Sequence, residues 1–383
     1  MDSRMRLLYI LVMVTGMTLL LLFTVLSPSG QYPAPANFTV TGWRPDSRLG
    51  LDFSAWYEVE ETPYRITQHR TPYLRIKTGQ TYNNKCSKRI ELPQYEAGSE
   101  GSTGQMFFLE TSGRSWLTPR EACALESAAK FSNLRVNILL TSPFLDTFDN
   151  STCYLYMTVE NVIFYTINLA KIFSRTPLEG FEKRKSLIDS QYRSVHLSDS
   201  LRLALIYKAG GFYSDLDSVT LRDLSKLKNV IGATFKDKNT LSPHLANGEF
   251  HLQRNHRLLL HTMNLLARQY RGELRVEVGP RLITEAVKTV YNVSQVGGLH
   301  SADLTVMPPN FFYPAKSYEV RSLWQENPKS FSFWSDFLAN SSMVHFYGSQ
   351  SNEIVVQKNP SHELYAVIGP RYCPISYWSS KHF

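Results

Sequence analysis

The sequence predicts an α/β sheet domain, on three observations. From Gln105 onward, short apolar runs alternate with helical patterns: MFFLE, a helix, RVNILL, a long loop, NVIFYTI, another helix and GFYS. Alternation of that kind is what strands and helices covering a common sheet produce. The first helix also carries a complete start signal, because Thr118-Pro-Arg-Glu121 supplies a hydroxyl cap, a proline at the first helical position and a capping-box glutamate. Finally, 43% apolar and 13% aromatic residues against 19% charged ones can fill a sizeable core. That composition excludes wholesale disorder, collagen-like repeats and a Gly/Ser-rich coil. No internal repeat interrupts the 383 residues.

Ahead of the domain, twenty residues from Leu7 to Leu26 carry no charge. At about 1.5 Å per helical residue they match the roughly 30 Å hydrocarbon layer. Arg4 and Arg6 precede the run and no Lys or Arg follows until Arg44, which predicts a cytoplasmic tail (residues 1–6), a signal anchor (7–26) and a lumenal body. A cleaved signal peptide near Ala34-Pro35-Ala36 is disfavoured by the length of the run and by the proline. Residues 27–104, rich in proline and closing with GSEGSTG, read as a stem; residues 105–383 read as the globular α/β domain. Sequons at Asn37, Asn150, Asn292 and Asn340 agree with a lumenal body.

Four cysteines, Cys86, Cys123, Cys153 and Cys373, lack a zinc spacing. In an oxidising lumen they allow two disulfides in three pairings, of which Cys123 with Cys153 is favoured. The formal charge of +8 contains no Lys/Arg run of five, so nucleic acid is not the expected partner. Anionic nucleotides and anionic membrane surfaces are.

The densest chemistry lies in SDSLRLALIYKAGGFYSDLDSVT, residues 198–220. It reads as a short amphipathic helix, a Gly-Gly stop at Gly210-Gly211 and an extended segment. Asp199 and Arg202 share a helix face, and Asp215 and Asp217, two apart on the extended segment, point the same way. Paired carboxylates need protons or a cation, and their oxygens suit Mg²⁺ or Mn²⁺. Such an ion can neutralise a diphosphate as a sugar-phosphate bond breaks.

In this context the chain resembles the animal α1,4-glycosyltransferases. The matching stretches are FFLETS, ESAAK, LSDSLRLALIYKAGGFYSDLD, NVIGAT, NGEF, GPRLIT, FYP and RYCP, in series from Gln105 to Pro374. The resemblance implies a Golgi type II membrane enzyme with a Rossmann-like GT-A domain. It would move galactose or N-acetylgalactosamine from a UDP-sugar, with retention, in α1,4 linkage onto a glycosphingolipid. Carried over by motif, Asp215 and Asp217 hold Mn²⁺ (or Mg²⁺) and the diphosphate, while Asp199 and Arg202 contact ribose and donor sugar. Gly211, Tyr213 and Asn247 are assigned to the donor site as well. His345, in MVHFY, is a third candidate metal ligand, although the family pattern there is His-x-Trp and this chain has His345-Phe346-Tyr347. A homo- or hetero-oligomer is compatible with these assignments.

Other features are less specific. Asn247-Gly248 is expected in a polar turn before a strand. Gly279-Pro280 is expected to open a helix. His256 and His261, five apart, do not share a helix face and are given no metal. Glu110 and Glu249 are conceivable third carboxylates, with solvated strand ends the simpler account. Front-face transfer is therefore favoured over a covalent intermediate. Two other functions compete: a haloacid-dehalogenase-type phosphatase using Asp215 as nucleophile, and an inactive lumenal glycan-binding or chaperone protein.

Overall fold

The computed structural model describes residues 86–98, 104–235, 243–275, 278–324, 338–356, 364–380 and 383. The expected anchor at 7–26, most of the stem and Asn37 lie outside them. No helix among the described residues is long and apolar enough to cross a membrane.

The strands, in chain order, are β1 (Arg89–Glu91), β2 (Gln105–Glu110), β3 (Arg135–Leu140), β4 (Phe144–Asp146), β5 (Val162–Thr166), β6 (Gly211–Ser214), β7 (Ser218–Thr220), β8 (Val230–Phe235), β9 (Pro243–Leu252), β10 (Thr305–Met307) and β11 (Met343–His345). Seven form one mixed sheet in the order β10-β8-β9-β6-β2-β3-β5. β6, β2, β3 and β5 run parallel, and β9 runs antiparallel to both its neighbours. The α/β expectation holds, and all four apolar runs named from the sequence are strands.

The main helices are α1 (Pro119–Phe131), α2 (Asn150–Thr158), α3 (Arg193–Ala209), α4 (Arg257–Gln269), α5 (Pro280–Tyr291), α6 (Leu364–Tyr372) and α7 (Pro374–Ser379). α1 begins as its sequence requires. Thr118 accepts from the Glu121 N–H, the Glu121 carboxylate accepts from the Thr118 N–H, and proline occupies the first turn. Alternate residues of β2 feed different cores. Phe107 and Leu109 join the α3, α4 and α5 side chains Leu201, Leu205, Met263 and Ile283. Met106 and Phe108 join Leu125 and Ala128 of α1. A third cluster unites Cys123, Val219 and Val344 with the C-terminal Tyr365 and Tyr377.

Two sequence expectations need correction here. The disulfides are Cys86–Cys153 and Cys123–Cys373, not Cys123 with Cys153. Both cysteines of the favoured pair sit on helices of this domain, but each faces a chain end: Cys153 meets the segment entering the domain, and Cys123 meets the segment that closes it. The globular unit also reaches back into the expected stem, since β1 pairs with β4 and Gln94 bridges Thr166.

The chain runs β2 to β3 to β5 on one side of the sheet and then returns to β6 on the other side of β2. The strand order thus reverses between β2 and β6, and the carboxyl ends of strands beside such a reversal form a natural crevice. Asp215 follows directly on the last residue of β6.

Candidate metal and nucleotide-sugar site

α3 is longer than the sequence suggests, 17 residues ending at Ala209. Gly210, with φ +69°, donates its N–H to the Ile206 carbonyl at 2.8 Å. Gly211 follows at φ +113°, where a Cβ would come within 2.9 Å of the Gln105 carbonyl oxygen. A side chain at Gly211 would therefore hold β6 away from β2. This residue, expected to contact the donor, lies buried at the start of β6, four residues before Asp215, packed closely on β2. The two aspartates also depart from expectation: β6 ends at Ser214, and Asp215 to Asp217 form a turn leading into β7.

His345 reaches this turn through tertiary pairing. β11 runs antiparallel to β7 with His345 opposite Ser218, and Phe346 donates its N–H to the Asp217 carbonyl at 2.8 Å. His345 Nε2 then lies 3.1 Å from Asp217 Oδ1 and 3.8 Å from Asp215 Oδ2. One ligand atom from each of Asp215, Asp217 and His345 falls within 4.8 Å of the others. Asp217 Oδ2 accepts the Gly348 N–H at 2.6 Å. Its Oδ1 is buried and near the imidazole charge but receives no well-aligned hydrogen bond. Two carboxylates and an imidazole, with a buried oxygen awaiting a partner, fit a divalent cation of the Mg²⁺/Mn²⁺ type. Burial would raise the Asp217 pKa, but the His345 charge and the Gly348 N–H hold it at about 2. Burial conversely opposes the imidazolium, and Asp217 with Glu249 raises it well above its ordinary value. With no cation bound, the acidic cluster draws a proton onto His345; a divalent ion there would take over that charge and require the neutral imidazole.

Behind the triad, Arg202 is 5% exposed and Asp199 6%. The guanidinium contacts Asp199 Oδ1 at 3.2 Å, Asp215 Oδ1 at 3.0 Å and the Asn247 carbonyl at 2.9 Å. Burial would lower its pKa, but Asp215, Tyr213 and Asp199 raise it, so the group stays charged. Asp199 is pushed up by burial and pulled back by Arg202, and its Oδ1 accepts from Asn247 Nδ2 at 2.9 Å. Tyr213, 1% exposed, donates its hydroxyl to Asp215 Oδ1 at 2.8 Å beneath the Arg202 plane. Asp199, Arg202 and Tyr213, expected at the donor, contact Asp215 and Asn247 directly. Asp215 and Asp217 keep 25% and 30% of their side chains exposed and form the accessible front.

Asn247 and Gly248 do not lie in a turn before a strand. They sit inside β9, where its ladder with β8 jumps from Ile231↔Phe250 to Ala233↔Leu245, and the residues between bulge toward the aspartates. Bulges re-aim side chains beside sites in this way. The Gly248 carbonyl accepts the Asp215 N–H at 3.0 Å, and a Cβ there would stand 2.8 Å from Asp215 Oδ2. Gly279 opens α5 as expected, and a Cβ on it would lie 3.2 Å from both Asn247 Oδ1 and Asp199 Oδ2.

Glu249, set aside as a solvated strand end, is fully buried. Its Oε1 accepts the Ser218 hydroxyl, while its Oε2 is buried and unpartnered. Burial raises its pKa to about 7 against the pull of the His345 charge. Tyr313 stands beside it, accepting the Glu249 N–H at 2.9 Å, with its ring 5.3 Å from that of His345. The one available signal was Asn247 and Glu249 at a spacing of two within a largely buried strand. Glu110 is likewise buried rather than solvated, and it accepts from the Ser112 hydroxyl and N–H. His256 caps α4, accepting from the Leu258 N–H at 3.2 Å, away from the triad.

Residues 108–236 match the glycosyltransferase sugar-binding region containing DXD motif, and residues 251–380 match the alpha 1,4-glycosyltransferase conserved region. The triad draws Asp215 and Asp217 from the first segment and His345 from the second. The lactosylceramide 4-alpha-galactosyltransferase of Mus musculus is 28% identical over 301 residues, spanning 77% of this chain and 81% of its own. The Homo sapiens protein of that name is 28% identical over 294 residues, 74% of this chain and 80% of its own. The alpha-1,4-N-acetylglucosaminyltransferase of Homo sapiens is 25% identical over 283 residues, 70% and 78% of the two chains.

Proposed function

From the premise that this chain belongs to the α1,4-glycosyltransferase family, we propose that it is a retaining transferase of GT-A type. It moves galactose or N-acetylgalactosamine from a UDP-sugar onto a glycosphingolipid. The observation that carries this reading is the Asp215, Asp217 and His345 cluster at the carboxyl end of β6, beside the reversal of strand order. These three residues would hold Mn²⁺ or Mg²⁺, which supplies charge to offset that building on the departing diphosphate. The protein's own contribution is preorganisation. Arg202 and Tyr213 fix one Asp215 oxygen, Gly348 fixes one Asp217 oxygen, and Asp199 orients the Asn247 amide, so ligand directions are set before a donor arrives.

Front-face transfer, with the leaving phosphate taking the acceptor proton, remains the favoured course. Glu249 is a carboxyl close enough to act on His345, but it is buried, raised to about 7 and bonded to Ser218. A nucleophile would need to be charged and exposed to the anomeric carbon. The phosphatase alternative loses its basis in the family assignment, and Asp215 is tied to Arg202 and Tyr213 rather than free to attack. The relatives supply the glycolipid acceptor, since two are named for lactosylceramide. Residues 7–26 and the two disulfides support a lumenal Golgi body on a type II anchor.

The decisive experiment offers UDP-galactose, UDP-N-acetylgalactosamine and UDP-N-acetylglucosamine, with lactosylceramide and related acceptors, with and without Mn²⁺. Metal-dependent formation of an α1,4-linked product is expected from a galactose or N-acetylgalactosamine donor. Transfer that survives chelation, transfer only from the glucosamine donor, or a glycosyl adduct trapped on the protein would overturn the corresponding part of the proposal.

A further inference from the structure

Among the described residues, four exposed large apolar side chains sit at or near α2: Phe148 at 62%, Trp378 at 52%, Tyr156 at 39% and Met157 at 38%. The first lies two residues before Asn150, the asparagine of the Asn150-Ser-Thr152 sequon. Asn150 is exposed at the first position of α2, with Asp149 accepting from the Ser151 and Thr152 N–H groups. Trp378 comes from α7, which packs against α2. The Asn150 amide donates to the Ser379 carbonyl at 3.5 Å. Met157, two helical turns after Asn150, shares its face of α2.

We propose that Asn150 carries an N-linked glycan whose inner sugars lie over Phe148, Trp378 and Met157 as a covalent cover for this apolar patch. Pyranose rings present an apolar C–H face that suits an aromatic ring, and a patch of this kind left bare invites association. An N-glycosylated amide keeps one N–H, so the bond to Ser379 survives modification. Thr152 is buried, its hydroxyl donating to the Leu117 carbonyl at 3.1 Å. Glycan transfer onto the nascent chain precedes that burial and is not opposed by it. The inference rests on the lumenal placement proposed above, and Asn292 and Asn340, also exposed in the fold, serve as internal controls for it.

The test expresses the full chain in a secretory host and maps occupied sites by mass spectrometry after enzymatic glycan release. Modification of Asn150 is expected and is lost in Asn150→Gln. Occupancy of Asn292 or Asn340 without Asn150 would overturn the proposal while leaving the lumenal body intact; occupancy of none would overturn both. A second measurement addresses the cover itself. Releasing glycan from the folded protein is expected to raise binding of a hydrophobic dye roughly twofold or more, and Phe148→Ala to remove most of that rise. Unchanged dye binding, or binding of the glycosylated protein to phosphatidylcholine–phosphatidylserine vesicles that Phe148→Ala abolishes, would overturn the covering role.

Discussion

Two buried glutamates show how one physical situation serves opposite ends. Glu126 on α1 and Glu249 on β9 are both essentially inaccessible, and burial raises both to about 7. Glu126 is saturated. It accepts from the Ile375 N–H at 2.9 Å, the Ser376 N–H at 2.8 Å and the Ser376 hydroxyl at 2.8 Å. Those are orphan donors at the start of α7, and the Cys123–Cys373 disulfide closes the same joint one turn away. Glu249 has Ser218 as its hydrogen-bond partner and the Tyr313 hydroxyl beside it, and its second oxygen has no well-aligned partner among the described residues. Complete satisfaction marks a clamp that fixes the C-terminus, whereas the incomplete satisfaction of Glu249 goes with its place beside the Asp215, Asp217 and His345 cluster.

The sharpest test of that contrast lies on the site side. Asp217→Asn should lower metal-dependent turnover on the order of a hundredfold or more, because one ionic ligand is lost without a change of volume. The variant should still fold, with a modest loss of stability from the unpaired His345 charge, since an amide oxygen still accepts from Gly348. Near-normal turnover in the folded variant would remove the site. On the clamp side, Glu126→Ala should cost about 3 kcal/mol in urea unfolding by stranding buried donors. The fraction that remains folded should keep its turnover.

The pH dependence separates the clamp more finely. Folded Glu126 keeps its proton up to about 7, above the ordinary 4.5, so its contribution is complete below pH 4.5 and is lost as pH rises toward 7. Glu126→Gln should flatten the fall in stability across that window, by at most ~1.4 kcal/mol per pH unit. An unchanged slope would show that Glu126 is ionised throughout. The smallest effect is expected from Glu249→Gln, with stability within about 1 kcal/mol and activity reduced less than tenfold, since the carboxyl is largely neutral below pH 7. Loss of activity together with an adduct on Glu249 in the wild type would turn the mechanism into a double displacement.

Legibility in the sequence followed the range of the interactions. The α1 capping box, the four apolar strands, the glycine break after α3 and the Asp215/Asp217 pair are set by neighbours within a few residues, and the structure displays them. Asn247 and Gly248 were misplaced because a bulge depends on the register of β9 against β8, which no local pattern records. The disulfide partners were misassigned for a similar reason: Cys123 and Cys373 are 250 residues apart. Glu249 looked like a solvated strand end because burial is a property of what packs around a residue.

What the sequence determined alone was chemistry and local form: acidic ligands after a double-glycine stop, a capped helix, an apolar segment long enough for a membrane, and the motif series of a family. What the tertiary structure decided was company. The β7–β11 ladder brought His345 to Asp217, the β9 bulge brought Asn247 and Glu249 to Asp215, and burial made a fixed cationic strut of Arg202. Such meetings arise only when the sheet closes and desolvates them together, because the strength of a charge contact is set by the surrounding medium as much as by the residues that make it.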